Sequence, residues 1–380
     1  MFLAAAVAVF ARAQASETGH HRERMLPIAS FYDAPRPLPA GQPGTLIRSE
    51  KYDDYELPYQ FTVKRILYHS RSASGRDVAA SGVVVIPPGK APGGGWPLIA
   101  WAHDFTGAAR QCAPSLMRNV GSGPVLAMYA RLGYAVVATD YTGLGTSFSN
   151  AASDLPSNAA DVIYSVPAAL AAVPQVGRRW LAMGKGEGAL VAVKVDEEEN
   201  EVRDANYLGS VALSGVADLK QIYGRPGGSA PGTFSLAHAV KAVYPGFDLD
   251  DMLTKKGMSA YAEAEKGCSG IPAGEENSSG ELLKPDWETN QFIEQFFQRN
   301  AFGQKPAFGP LLVISGGTNP EITSAMIEAT VASMCKQGDR VQWYDYPGVE
   351  AGELIGASVR DPIAWIQGRF AGRPAPSSCH

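Results

Sequence analysis

The sequence predicts an α/β protein built on a mainly parallel eight-stranded sheet with flanking helices, and three observations carry that prediction. Short apolar runs alternate with helix-like segments from Pro97 onward. Two earlier runs are separated only by a short polar turn, as in an antiparallel hairpin. A glycine-rich turn, Gly184-Lys185-Gly186-Glu187-Gly188, joins one apolar run to an apolar helix. Alternation of this kind places crossover helices between parallel strands and covers both faces of the sheet.

Taken in order, the Pro-rich stretch from Pro35 to Pro58 reads as irregular. The hairpin pairs Phe61 to Tyr68 with Ala79 to Ile86 across Ser70 to Arg76. The remaining strands are Pro97 to Ala102, Tyr134 to Thr139, Trp180 to Met183, Leu208 to Leu213, Pro310 to Ser315 and Val341 to Tyr346. Helices are expected at Leu116 to Arg131, Ala159 to Ala172, Glu187 to Glu198, Ser324 to Lys336 and Asp361 to Phe370. Residues 215–308 break the rhythm with helix-like pieces at Thr233 to Val243, Asp250 to Lys266 and Trp287 to Asn300, and no strand. They read as a helical cap inserted into a core of residues 16–214 and 309–380. An insertion there sits over the carboxyl ends of the strands, where open α/β sheets bind ligands. Gly267 to Gly280 is its loosest part.

Composition narrows the function. With 380 residues, 45% apolar and 19% charged, the chain can bury a large core, which excludes disordered and fibrous classes. A net charge of -5 without a basic stripe excludes nucleic acid and an anionic membrane surface as partners. The acidic run Asp196-Glu197-Glu198-Glu199-Asn200-Glu201 reads as a solvated helix end. Residues 1–15 hold an apolar block and then Ala13-Gln14-Ala15, the form of a signal peptide with its cleavage site, so a secreted or periplasmic protein is expected. That block is too short to span a bilayer, and no integral membrane segment is expected. Four cysteines, Cys112, Cys268, Cys335 and Cys379, lack metal or redox spacing and read as two disulfides, with three pairings open. No metal and no cofactor is expected, because no histidine and carboxylate cluster has ligand spacing. Asn277-Ser278-Ser279 is a glycosylation sequon only in a eukaryotic secretory pathway.

Candidate chemistry gathers at strand ends. Trp101-Ala102-His103-Asp104-Phe105-Thr106-Gly107 follows the third predicted strand, and Thr139-Asp140-Tyr141-Thr142-Gly143-Leu144-Gly145 the fourth. Together with the glycine turn, with Tyr346-Pro347-Gly348-Val349-Glu350-Ala351-Gly352 and with the tail from Arg369 to Cys379, these segments resemble the secretory lipase family of the α/β-hydrolase fold, over about Tyr52 to Cys379. The resemblance implies a lipase or carboxylic ester hydrolase whose nucleophile sits in Gly-x-Ser-x-Gly. It places the serine on Gly186, the acid on Asn319 and the histidine on Ala351. All three positions are then substituted, since none of these residues can attack a carbonyl, move a proton or balance an imidazolium. It also implies oxyanion-hole backbone donors at Asp104 and Glu187, and disulfides Cys112 with Cys268 and Cys335 with Cys379.

Substitute polar groups are His103, Lys185 and Glu350, with Glu353 beside the lost histidine; Ser214 and Ser315 end strands without an elbow to expose them. Desolvation in an apolar cleft would raise a carboxylate pKa there and lower that of Lys185. Three readings stay open. The first is a pseudoenzyme that binds a small hydrophobic or acyl-ester ligand, the second a retasked non-hydrolytic enzyme, the third an active lipase or esterase.

Overall fold

The computed structural model describes residues 25–58, 61–224, 230–268, 279–316, 322–350 and 352–379. The proposed signal peptide, the sequon's Asn277 and Ser278, and both Asn319 and Ala351 lie outside the described residues.

Among the described residues nine strands form one sheet: β1 (Leu46–Lys51), β2 (Thr62–Arg71), β3 (Asp77–Ile86), β4 (Trp96–Ala102), β5 (Ala135–Thr139), β6 (Val176–Lys185), β7 (Tyr207–Leu213), β8 (Leu311–Gly316) and β9 (Val341–Tyr346). Their order is β1-β2-β3-β5-β4-β6-β7-β8-β9. Pairing is antiparallel from β1 to β5 through β2 and β3, and parallel from β5 through β9. The eight expected strands are present, and β1 corrects the expectation that Pro35 to Pro58 is irregular throughout. Its sequence Leu46-Ile47-Arg48-Ser49-Glu50-Lys51 has no apolar alternation, because it is an edge strand held by backbone pairing to β2 rather than by a buried face. Its charges also blunt that edge against pairing with another chain.

Both faces of the sheet are covered, and the central strands show it with a period of two. Trp180 and Ala182 of β6 and Val313 of β8 enter one core with helices Leu155–Ala172, Glu187–Val202 and Ser324–Gln337. Leu181, Met183 and Ile314 enter the other, with helices Gly123–Arg131 and Arg360–Phe370. Three predicted helices are shorter than expected. Leu116 to Arg131 is a 3-10 turn at Pro114–Leu116 followed by the helix Gly123–Arg131, because Gly121 and Val120 take left-handed backbone between them. Asp250 to Lys266 divides into Leu249–Asp251 and Lys255–Ala264, with Thr254 capping the second piece through its side chain. Trp287 to Asn300 likewise divides where the Asn290 side chain caps Gln291–Asn300.

Among the described residues the segment between β7 and β8 holds helices and no named strand, including Leu219–Tyr223, Ala230–Val243, Lys255–Ala264 and Gln291–Asn300. It is tied to the sheet layer at two points. Arg299 forks onto the buried Asp154 through Nε at 2.7 Å and Nη2 at 3.0 Å. Near its middle, Cys268 is bonded to Cys112, while Cys335 with Cys379 fastens the C-terminal tail beside β9. No described helix is long and apolar enough to cross a membrane.

The acidic run at the end of the helix Glu187–Val202 is not solvated as expected. Asp196, Glu197 and Glu199 are buried: the loop before β8 folds over the first two, and the Asp204 N–H of the turn after the helix donates to Glu199. Gly309 N–H donates to Asp196 Oδ1 at 2.7 Å, Gly303 N–H donates to Glu197, and Lys194 closes an ion pair with Glu197.

Candidate functional site

The site is assembled where β6 turns into the helix Glu187–Val202. Two glycines permit the crossing: a Cβ on Gly184 would stand 1.9 Å from Gly188 O, and one on Gly188 would stand 2.1 Å from Ala102 O. The middle glycine is required for a different reason. Gly186 adopts φ 59°, ψ -125°, a left-handed conformation that L side chains rarely adopt. A Cβ there would also lie 2.3 Å from Cγ and both carboxylate oxygens of Asp104. The space a side chain at 186 would take is thus filled by the Asp104 carboxylate.

Asp104 is held there by two backbone donors. The N–H of Glu187, at the positive end of the helix, donates to Oδ1 at 3.0 Å, and the N–H of Phe105 donates to the same atom at 2.9 Å. The Glu187 side chain turns the other way. Its Oε2 accepts a hydrogen bond from Ser153 Oγ at 2.5 Å, and Ser153 meets Ser235 Oγ of the helix Ala230–Val243 at 2.6 Å. Burial pushes the Glu187 carboxyl up to about 7; the Ser153 bond opposes this and the nearby Asp104 charge adds to it.

His103 is placed behind this pair and is fully engaged. Its Nδ1 lies 2.6 Å from Asp104 O, its Nε2 lies 3.2 Å from Asp140 O, and its ring stacks on Tyr141 at 4.1 Å. Burial holds its pKa below the usual histidine range. With both nitrogens against backbone carbonyls, the ring positions the loop that carries Asp104. Asp140, beneath it, is buried and bonded to Ser81 and to Ser115 through N–H and Oγ.

The other sequence candidates stand apart. Lys185 ends β6 half-buried and enters no ion pair with a described residue. Glu350 is exposed in the loop after β9, and its carbonyl accepts from the N–H groups of Glu353 and Leu354. No hydrogen bond joins Glu350 to Asp104 or Glu187 among the described residues. Ser315 Oγ donates to Asp345 and accepts from Trp343 Nε1. Ser214, with φ 88°, has a buried hydroxyl without a partner among the described residues. No metal-ligating group of three or more His, Cys, Asp or Glu occurs among the described residues.

Sequence reasoning missed Ser153 and Ser235, which lie 82 positions apart and belong to no motif. It also missed His238, whose Nδ1 lies 2.9 Å from Glu265 Oε1 and whose Nε2 lies 3.1 Å from Asn150 O. These contacts set the helix Ala230–Val243 against the loop after β5. Only the packing of the insertion brings them together.

No protein-family model matches the chain, and no curated protein matches it by sequence. Solved structures do. Lipase A from Candida antarctica in its closed state has a TM-score of 0.77 at 16% identity, over 94% of this chain and 89% of that one. The rice cell wall degrading esterase LipA from Xanthomonas oryzae has a TM-score of 0.71 at 18% identity, over 87% of this chain and 98% of that one. The likeness, with the strand order above, establishes the α/β-hydrolase fold.

Proposed function

We propose that this chain is an exported, catalytically degenerate relative of the secretory lipases, a pseudoenzyme that holds a small hydrophobic or acyl ligand without serine-type hydrolysis. One observation carries the reading: the turn that would present a nucleophile bears Gly186, and the Asp104 carboxylate occupies the space of the missing side chain. The Glu187 N–H, which with the Asp104 N–H would stabilise an oxyanion, is engaged by that same carboxylate. In this alignment Asn319 and Ala351 complete the loss by removing the acid and the base. Loss of a triad costs on the order of a millionfold in turnover, so acyl-enzyme chemistry falls below background.

The rest of the reading is built on that. Residues 215–308 act as a cap, supported by the contacts of Ser235, His238 and Cys268 with Ser153, Asn150 and Cys112. Residues 1–15 direct export, and two disulfides agree with an oxidising compartment. A second reading is favoured by Glu187 alone: a partly buried carboxyl at about 7 suits general acid–base work, so a retasked non-hydrolytic enzyme would lose its turnover on Glu187→Gln.

The test is hydrolysis of p-nitrophenyl esters and labelling with a fluorophosphonate probe. The unmodified chain is expected to release no p-nitrophenol above buffer and to form no adduct, whereas Gly186→Ser with Asn319→Asp and Ala351→His gains measurable hydrolysis. A covalent adduct in the cleft of the unmodified chain overturns the pseudoenzyme reading.

A further inference from the structure

Residues 301–309 carry the chain from the helix Gln291–Asn300 back to β8. We infer that they form a proton-dependent strap, in which residues 307–309 lie on the helix Glu187–Val202 while Asp196 is neutral and lift when it gives its proton to solvent. The strap is held through its backbone. Phe302 N–H donates to Asp218 at 2.8 Å, Gly303 N–H to Glu197 at 2.7 Å, Ala307 N–H to Asp339 at 2.9 Å and Gly309 N–H to Asp196 Oδ1 at 2.7 Å. Phe308 N–H donates to the Asp196 carbonyl at 3.0 Å, so Asp196 holds the end of the strap twice. A segment fixed by carboxyl groups responds to their charge.

Asp196 is poorly provided for as an anion. It is fully buried, and its Oδ2 has no hydrogen-bond partner among the described residues. The titratable groups that face it are Tyr207 of β7, Asp339 from the turn before β9 and Glu199 of its own helix, none of which carries a positive charge. The nearby lysines are engaged elsewhere, Lys194 with Glu197 and Lys305 with Glu198 and Glu201. The strap fits closely over this carboxyl: a Cβ on Gly309 would stand 3.2 Å from Asp196 Oδ1, 3.1 Å from Tyr207 Cε1 and 3.0 Å from Gly209 Cα. One N–H bond returns only part of the hydration that a carboxylate loses on burial, and a second carboxylate beside it adds repulsion. A charged Asp196 is therefore accommodated by admitting water, and the strap is the element over it that belongs to neither sheet nor helix. The neutral acid still offers Gly309 N–H a carbonyl oxygen and has no charge to hydrate. Burial, with the charges of Asp339 and Glu199, raises the Asp196 pKa in the closed form, so the strap is closed in the ordinary carboxyl range and opens as pH rises toward the raised value. Upstream, Arg299 on Asp154 and Cys268 on Cys112 hold the rest of the insertion, which confines the motion to the strap.

Hydrogen–deuterium exchange of the full chain at pH 5 and pH 9, with each rate divided by its intrinsic value, tests this. Protection over residues 302–309 is expected to fall about tenfold or more between the two, and at pH 9 to lie about tenfold or more below that of the helix Leu155–Ala172. Asp196→Asn keeps an acceptor for Gly309 N–H and cannot ionise, so it is expected to shrink the fall about fivefold or more. Flat protection over 302–309 in the unmodified chain overturns the inference, whether or not the variant folds. A strap that exchanges as slowly as Leu155–Ala172 at pH 9 opens only with the whole chain, which also overturns it. So does a fall that persists undiminished in Asp196→Asn, because the proton then acts elsewhere.

Discussion

The two ends of the helix Glu187–Val202 carry acids in opposite circumstances. At its amino end Glu187 and Asp104 stand at the positive pole of the helix, partly open to solvent, with oxygens to spare. Toward its carboxyl end Asp196 is sealed under the loop before β8 and Glu199 lies buried against the Asp204 N–H, and Asp196 Oδ2 and Glu199 Oε1 are buried without a hydrogen-bond partner among the described residues. Burial raises Asp196 well above the usual carboxyl range and Glu199 to about 7. The dipole reinforces the shift at the carboxyl end and opposes it at the amino end. The contrast teaches that a raised carboxyl pKa has two meanings in one helix: at the sealed end the proton serves stability, and at the open end it is available to a ligand.

The largest expected effect is at the sealed end. Asp196→Ala removes the acceptor for Gly309 N–H and leaves a void, and is expected to lower stability by about 2–4 kcal/mol in urea unfolding. Asp196→Asn keeps a carbonyl acceptor and no charge, so it is expected to cost about 1 kcal/mol or less. Equal losses from both substitutions would mean that Asp196 is charged in the fold, and the contrast between the ends would fail.

A pH series sharpens the comparison further. A carboxyl whose pKa is raised on folding binds its proton more tightly in the native chain, so its stabilising contribution is complete below its unfolded pKa and is lost as pH rises through the folded value. For Glu199 the window runs from 4.5 to about 7. Asp161, buried with Ser70 and Thr142, is raised to about 6 and acts in the same direction over the lower part of the window. Unfolding free energy is expected to fall by on the order of 1–3 kcal/mol between pH 4.5 and pH 8, and Glu199→Gln to flatten the upper part of that fall. Glu187, raised to about 7 as well, acts over the same window, so Glu187→Gln is expected to flatten the fall by a comparable amount; a slope that neither substitution changes would mean that neither carboxyl is raised on folding.

The smallest effect isolates the amino end itself. Gly186→Ala is expected to cost about 1–2 kcal/mol, from the left-handed backbone and from displacement of Asp104. In Asp104→Ala the second part is gone, so a double-mutant cycle should show a coupling of roughly 0.5–1 kcal/mol. Additive losses would mean that the carboxylate does not fill the space at residue 186.

The sequence alone determined the eight strands β2 to β9, because β2 through β8 are buried on at least one face and β9 starts from the buried Val341, which leaves apolar runs at regular intervals. It also determined that Gly186 carries no nucleophile, which needs no coordinates. It did not reveal β1, whose residues are held by backbone bonds that any side chain permits. Nor did it reveal that Asp196, Glu197 and Glu199 are buried, since a charge run reads as solvated until a distant loop covers it. Only the tertiary structure decided where the Asp104 carboxylate sits, and that Ser153 and Ser235 reach Glu187. The physical reason is range. Strand and turn signals are local consequences of burial periodicity and backbone freedom, whereas the polarity of a cleft is set by side chains that converge from four separate segments of the chain.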